Sequence, residues 1–518
     1  MPDFAYDRVA YPSYSHVQSH PNRLAAMARL FGVTHAASPE RCSVLEIGCG
    51  DGVNLLGIGY AWTGSRCVGI DLSSVAIARG QAIIDELRLP NVRLIAGDVL
   101  ATDATSLGAP FDYVIAHGFY SWTPPEARDA ALRLCRAALA DTGLAYFGYD
   151  VLPGSQLKLL ARQIMRFAAE ASGETDPLRR VQFARAALGA MADVATTDPW
   201  TATLTRERER LGKMTETGLF HDDLSDAYAA VTVAEFLEHA ARHGLAFVGE
   251  SDPADVFPPR LSPKAAQLID RLSRNVGHTP DRVRREQATD MVRGRRFRQS
   301  ILAPSGVAVQ DKVRAEDLCG LRLCGRFSVD PAPAGATGSV TFRGDRDATA
   351  TVHHPAAIAA LRQVARVWPA SVAYDDVVAA ALQDAGVTPG NAAAVQQATQ
   401  TVAGTVLLSA GARMVELSIA PAPSAASLDQ TGDRPRASRL AQLLSRTGEH
   451  VCTLSGQTVR LQGDAARHLL QMLDGSRTVE QLITDFRPLL PGMTHDAIAA
   501  ELRQKIAQML ALRLVHPA

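Results

Sequence analysis

Residues 45–52 read "LEIGCGDG", an apolar run stopped by three alternating glycines, Gly48, Gly50 and Gly52, with Glu46 before them and Asp51 between the last two. Such a cluster can cradle a phosphate, a dinucleotide or a ligand with a positive centre, and spacing separates these. A nucleoside triphosphate loop needs Lys-Ser or Lys-Thr after its glycines, and neither pair follows. The dinucleotide fingerprint GxGxxG would put its third glycine at Val53, whereas it falls one residue earlier, at Gly52. Glu46 and Asp51 would also repel a diphosphate at this turn, and they suit a cation.

Two further acids sharpen the choice. Asp71 closes the next apolar run in "VGIDLS", nineteen residues after Gly52 and followed by Leu72. A carboxylate there can accept from both hydroxyls of a ribose. Asp98 closes a third run in "IAGDV", placed to accept from an exocyclic adenine amine, with Val99 offering a backbone N–H. Asn54 lies on the first helical turn after Gly52, within reach of a ligand carboxylate that a helix N-terminus favours. The ligand described has an adenine, a ribose, a positive centre and no phosphate, and S-adenosylmethionine fits it. No metal is expected.

These residues must be positioned by alternating strands and helices. "CSVLEI" (42–47), "RCVGID" (66–71), "NVRLIAGD" (91–98), "FDYVIAHG" (111–118) and "GLAYFGY" (143–149) read as strands, with helical stretches at 73–89 and 125–139. Repeated βα units imply a parallel sheet covered on both faces. Residues 155–230 are helical in composition, and two later runs, 245–249 and 295–303, read as strands. Either those strands complete the sheet around a helical insertion, or a separate helical domain follows it. Pro/Ala/Gly-rich linkers are expected at 329–339 and 420–437. The pieces beside the second linker share a plan of one short strand and three helices, which predicts two winged-helix-like units. The expected organisation is a lid and core over 1–154, a helical region with the last strands over 155–330, and units at 340–420 and 438–518.

Composition narrows the function classes. The 518 residues exceed one core, and a net charge of −1 argues against a general nucleic-acid or anionic-membrane binder. The candidate recognition helix "NAAAVQQATQTVAG" has no Lys or Arg to neutralise phosphates. Seven arginines in 282–299 form the densest basic run, read as an ion-pairing face. Seven scattered cysteines fit buried thiols in a reducing compartment. No run of about 18 apolar residues suggests membrane insertion, and the chain is expected in the cytoplasm.

The ExGxGxG turn, the acid ending strand two and the Gly-Asp pair ending strand three resemble the class I S-adenosylmethionine-dependent methyltransferases. The stretches 6–32, "HGFYSWTP" (117–124), 220–251 and 286–302 extend the likeness. They are similar to bacterial methyltransferases with a regulatory domain, including the rickettsial protein lysine methyltransferases that modify outer-membrane proteins. A fainter likeness covers 340–518. The resemblance implies an α/β fold, a doubly wound, mostly parallel Rossmann-like sheet with a helical insertion and C-terminal, mainly α, winged-helix-like units. It implies S-adenosylmethionine as cofactor and methyl transfer to lysine of a protein acceptor, an outer-membrane or surface protein met before export. A small-molecule N- or O-methyltransferase, a non-catalytic binding protein and a homodimer stay open. On this likeness His117 lines the cofactor pocket and Tyr120 with Trp122 forms the acceptor channel, unless Trp122 is a core anchor. The segment "YPSYSHVQSHP" (11–21) forms a lid contributing Tyr11, Tyr14 and His20 to the pocket.

Overall fold

Short apolar strands buried on both sides give a parallel sheet, because neither face can be left in water. The computed structural model describes residues 5–258, 261–274, 281–330, 338–344, 348–421, 433–490 and 492–516. Strands β1 (Ser43–Ile47), β2 (Arg66–Asp71), β3 (Val92–Ala96), β4 (Phe111–His117), β5 (Leu139–Asp150), β6 (Leu245–Glu250) and β7 (Phe297–Pro304) form one sheet. Their order is β3-β2-β1-β4-β5-β7-β6, with β7 antiparallel to both neighbours. The two late strands therefore complete the first sheet, and the reading as a separate helical domain is overturned. Strand order reverses between β1 and β4, which opens a crevice at their C-terminal ends.

Successive side chains alternate between two cores. Val44, Tyr113, Ile115, Tyr146 and Ile301 face the helices Pro21–Leu30 and Val53–Ala61. Leu45, Val114, Ala116, Phe147 and Leu302 face Pro125–Ala138 and Val233–Arg242. Between β5 and β6, the helices Gln156–Ala171, Pro177–Val194, Asp198–Gly212 and Glu216–Asp223 enclose their own core around Met165, Val181, Leu188 and Leu211.

The segment read as a first linker is not a boundary. Strand Phe327–Val329 pairs with Val340–Gly344 across it, although residues 331–337 themselves lie outside the described residues. Strand Arg322–Cys324 joins Val372–Ala373 and Glu416–Ser418, so the following unit reaches back beyond residue 340. Its helices are Pro355–Val367, Tyr374–Asp384 and Ala392–Gly411. The last unit closes Arg436–Ala437 on Val515–His516 and carries a hairpin, His450–Cys452 with Thr458–Arg460. Most of the second expected linker, 422–432, also lies outside the described residues. No helix among the described residues is long and apolar enough to cross a membrane. No cysteine is paired; five are buried, Cys49 is partly exposed and Cys319 is exposed.

The basic run turns inward. Arg298 on β7 is fully buried, and its Nε and Nη2 fork onto Asp290 at 2.8 Å each. Nη1 reaches Glu250 on β6 at 2.7 Å, and Nη2 also meets Glu286 at 2.8 Å. These bonds fasten the helix Asp281–Arg293 to the sheet edge. Removing one member of a buried ionic cluster leaves uncompensated charge, a loss of about 3–5 kcal/mol. Arg298→Met is therefore expected to lower the urea midpoint clearly, while an exposed pair such as Arg460→Met leaves it nearly unchanged.

Candidate functional site

The turn after β1 needs glycine on steric grounds. Gly48 has φ +73°, and a Cβ there would lie 2.6 Å from the Phe119 ring. Gly50, at φ +58°, faces open space, with nothing within 4 Å of a Cβ. Its N–H donates to Asp71 Oδ2 at 2.8 Å, and Ser73 N–H donates to Asp71 Oδ1 at 2.9 Å. Both carboxylate oxygens are thereby aimed, each keeping lone-pair capacity for a hydroxyl. Gly52 caps the helix Val53–Ala61 in a left-handed conformation.

Glu46 is buried one residue before the end of β1. Burial raises its pKa to about 8; Asp71 and Asp51 add to the shift and the Asn54 bond opposes it. Oε1 accepts from Asn54 at 2.9 Å, but the buried Oε2 has no partner. Burial is also the main cause of the raised pKa values of Asp51 and Asp71. Asp98 is exposed and accepts from Leu100 N–H at 2.9 Å, Val99 is half-buried, and Leu72 is 52% exposed beside Asp71. An orphaned carboxylate oxygen, a glycine opening onto free space, an aimed acid and uncovered apolar carbons fit a cationic adenosyl ligand.

The N-terminal segment crosses this edge. Ser73 donates to Asp7 at 2.6 Å, and Ser13 donates to Asp51. His16 N–H donates to Asn54 Oδ1 at 2.9 Å, and the His16 ring stacks on His117 at 3.6 Å. Burial drives the His16 pKa down to about 4 and that of His117 well below its usual value, with His16 adding to the latter. The pair is thus uncharged at neutral pH. Tyr14 packs edge-on to His450 at 5.1 Å. Ser15 N–H donates to Thr458 Oγ1 at 2.8 Å, and that hydroxyl donates back to Ser15 O at 3.0 Å. The C-terminal hairpin therefore holds the strap from above.

Several expected residues are placed otherwise. Asn54 spends its amide on Glu46, on Ser19 at 3.1 Å and on His16, so it latches the strap instead of reaching a ligand carboxylate. His20 caps the helix Pro21–Leu30 and lines a cavity with Cys324, Glu416 and Arg513, away from the glycine turn. Tyr11 turns to Asp222, its hydroxyl 3.4 Å from either oxygen. Tyr120 is buried against Phe236, and its hydroxyl meets His239 Nδ1 at 2.8 Å; it is a core residue, not a channel wall. In the sequence, nothing local distinguished Ser13 and His16 from their neighbours Tyr14 and His20.

Trp122 is only half-buried, and it joins residues that sequence reasoning missed. Its ring lies edge-on to Tyr228 at 5.7 Å, and Lys158 Nζ sits over both rings at 4.4 and 5.0 Å. Lys158 pairs with Asp150, the last residue of β5, at 2.9 Å, and Tyr228 donates to the same oxygen at 2.5 Å. Asp222 lies close enough for Lys158 to oppose the burial that raises its pKa to about 6. Tyr6, stacked on His221 at 4.0 Å, feels the charge of both Asp222 and Asp71 and so bridges this cluster to the glycine turn.

Comparison with known proteins agrees with this architecture. Residues 44–143 match the model of a methyltransferase domain, 215–303 that of a predicted methyltransferase regulatory domain, and 433–510 that of a PKMT C-terminal winged helix domain. An uncharacterized protein of Rickettsia prowazekii is 29% identical over 315 residues, 60% of this chain and 55% of that protein. The chain thus spans about half the length of that relative. A second one from the same organism is 29% identical over 239 residues, 46% of this chain and 94% of its own length. The structure of PKMT2 from Rickettsia typhi, solved also in complex with AdoHcy, superposes with a TM-score of 0.83 at 20% identity, covering 98% of this chain and 99% of that one. Residues 44–143 thus match a methyltransferase domain, and the geometry of the site fits S-adenosylmethionine.

Thr458→Val keeps the shape of the hairpin but removes the bonds to Ser15, each worth about 1 kcal/mol. Limited proteolysis should then cut the N-terminal strap several-fold faster, and cofactor affinity should fall with it. Unchanged cleavage would show that the hairpin does not hold the strap.

Proposed function

We propose that this chain, whose methyltransferase domain binds S-adenosylmethionine, transfers methyl groups to lysine side chains of a protein acceptor. The supporting observation is the ammonium-holding cluster of Trp122, Tyr228, Asp150 and Asp222 on the same sheet edge as the glycine turn. Two aromatic faces attract a cation through their quadrupoles and accept its methylated forms, which have lost N–H donors. The resemblance to the rickettsial protein lysine methyltransferases supports the same acceptor class, an outer-membrane protein met before export.

When bound, S-adenosylmethionine supplies a methyl group on a positively charged sulfur, open to attack by an amine from the far side. The residues of this chain do the rest. Asp71 and the glycine turn orient the adenosyl end, while Glu46 faces the positive end. The strap from Asp7 to His16 covers the edge and excludes water, and the neutral His16–His117 pair adds an uncharged wall. A lysine must lose its proton before it can attack, and its free pKa is about 10.4. Trp122 and Tyr228 hold the amine by their faces and keep water from it, while its proton must pass to a carboxylate before attack. Asp222, with a pKa raised to about 6 and a hydroxyl partner in Tyr11, lies on the proton's way out.

The test uses the full chain, isotope-labelled S-adenosylmethionine and a lysine-bearing outer-membrane protein, read by peptide mass mapping. Label is expected on lysine Nε, with kcat/KM about 10–100-fold lower for Trp122→Leu and cofactor affinity unchanged. Label confined to hydroxyls, carboxylates or small molecules would contradict the reading.

A further inference from the structure

The ammonium in the Trp122–Tyr228 cluster is the chain's own. Lys158 points an acceptor's chemical group into the site proposed for an acceptor, and its local setting does not favour a lysine. It occupies the first turn of the helix Gln156–Ala171, three residues after the cap Ser155. A cation at a helix N-terminus opposes the helix dipole, and acidic side chains are preferred there. Among the described residues most ion pairs use arginine, with Lys505 on Glu501 an exposed exception, and of 53 basic residues only five are lysines. An arginine would suit a fixed bridge to Asp150 better, because its fork bonds a carboxylate twice. A lysine is a single, rotatable point charge that can leave.

The surroundings exceed what one bridge requires. Asp150 alone would pair the ammonium at 2.9 Å, yet Lys158 Nζ also lies over the Trp122 ring and over Tyr228, whose ring the Arg162 guanidinium shares at 4.3 Å, and it acts electrostatically on Asp222. The indole N–H of Trp122 is buried and has no partner among the described residues. Lys158 stays 14% exposed, so solvent reaches its position. The helix Gln156–Ala171 also begins the insertion, and movement of its first turn would carry the ammonium away from β5.

We propose that Lys158 is an internal pseudosubstrate: its ammonium fills the acceptor-amine subsite in the resting chain and must swing out before an acceptor lysine enters. This rests on the reading of the acceptor as an amine, and it adds a gate. The gate couples acceptor entry to the helical insertion, since displacing Lys158 requires either a tighter-binding amine or a shift of that helix.

The test titrates n-butyltrimethylammonium into the full-length chain without cofactor, followed by tryptophan fluorescence. Lys158→Met is expected to bind at least about tenfold more tightly than wild type, and Lys158→Arg, which keeps a cation there, no more tightly. Adding Trp122→Leu or Tyr228→Leu to Lys158→Met should abolish the gain, with circular dichroism confirming the fold. Arg166→Met removes a neighbouring cation, paired with the exposed Asp226, outside the cluster. Equal gains from Arg166→Met and Lys158→Met would reduce the effect to a general field and overturn the proposal. Unchanged affinity in Lys158→Met would also overturn it, whichever acceptor the transfer assay identifies. If Lys158→Met binds tightly while label never appears on lysine, the gate stands and the lysine assignment falls.

Discussion

Buried carboxylates without a fixed counter-ion set the terms for this molecule. Glu46, Asp51 and Asp71 crowd the C-terminal ends of β1 and β2, and burial raises the pKa of all three. Among the described residues, none is in a salt bridge. Groups with so much negative potential and so little solvent must be satisfied by hydrogen bonds or by a cationic ligand. The hydrogen bonds come from backbone N–H groups to Asp71, Ser13 and Val53 N–H to Asp51, and Asn54 to Glu46. One oxygen of Glu46 is left over, and that remainder selects a positive ligand over a phosphate.

The strap and the C-terminal unit follow from this constraint. A segment that donates to Asp51 and Asn54 while Asp7 accepts from Ser73 has to lie across the crevice, and its outer side then needs a partner. The Thr458 hairpin provides it. The helix Arg439–Thr447 that leads into the hairpin is anchored to the core by Arg439 N–H donating to the Tyr60 hydroxyl and by Arg446 on Glu86. The hairpin itself sits so close that a Cβ on Gly57 would meet Cys452 Sγ. A unit with a winged-helix plan here acts as a brace for a cofactor lid.

The sheet was legible because parallel strands are continuous apolar runs and glycines mark their ends. Even the late strands at 245–249 and 295–303 carried that pattern, although composition alone could not attach them to the sheet. The segment 329–339 misled because Pro and Gly punctuate a hairpin connection as readily as a domain boundary. The acids ending successive strands were readable, since topology fixes where strand ends lie. Side chains serving one another across long separations were not. Asn54 looked like a ligand group until its three partners were seen. His16 differs from His20 only through register, and Tyr120 from Trp122 only through which face of a short turn meets Phe236. Asp150, Lys158, Asp222 and Tyr228 converge through the path of the insertion, which leaves no periodic trace.

The central claim is that Glu46 is held for a positive ligand, and proton release on binding tests it most directly. Free, the carboxyl has a pKa of about 8 and is mostly protonated at pH 7; a cation beside it favours the ionised form. Binding should therefore expel a proton, and affinity should rise as pH climbs from about 6 to about 8, approaching tenfold per unit, and level off above. Calorimetry of S-adenosylmethionine binding in buffers of different ionisation enthalpy should show close to one proton released at pH 7. Glu46→Gln should remove that release and flatten the pH dependence. Identical proton counts in wild type and Glu46→Gln would contradict the account.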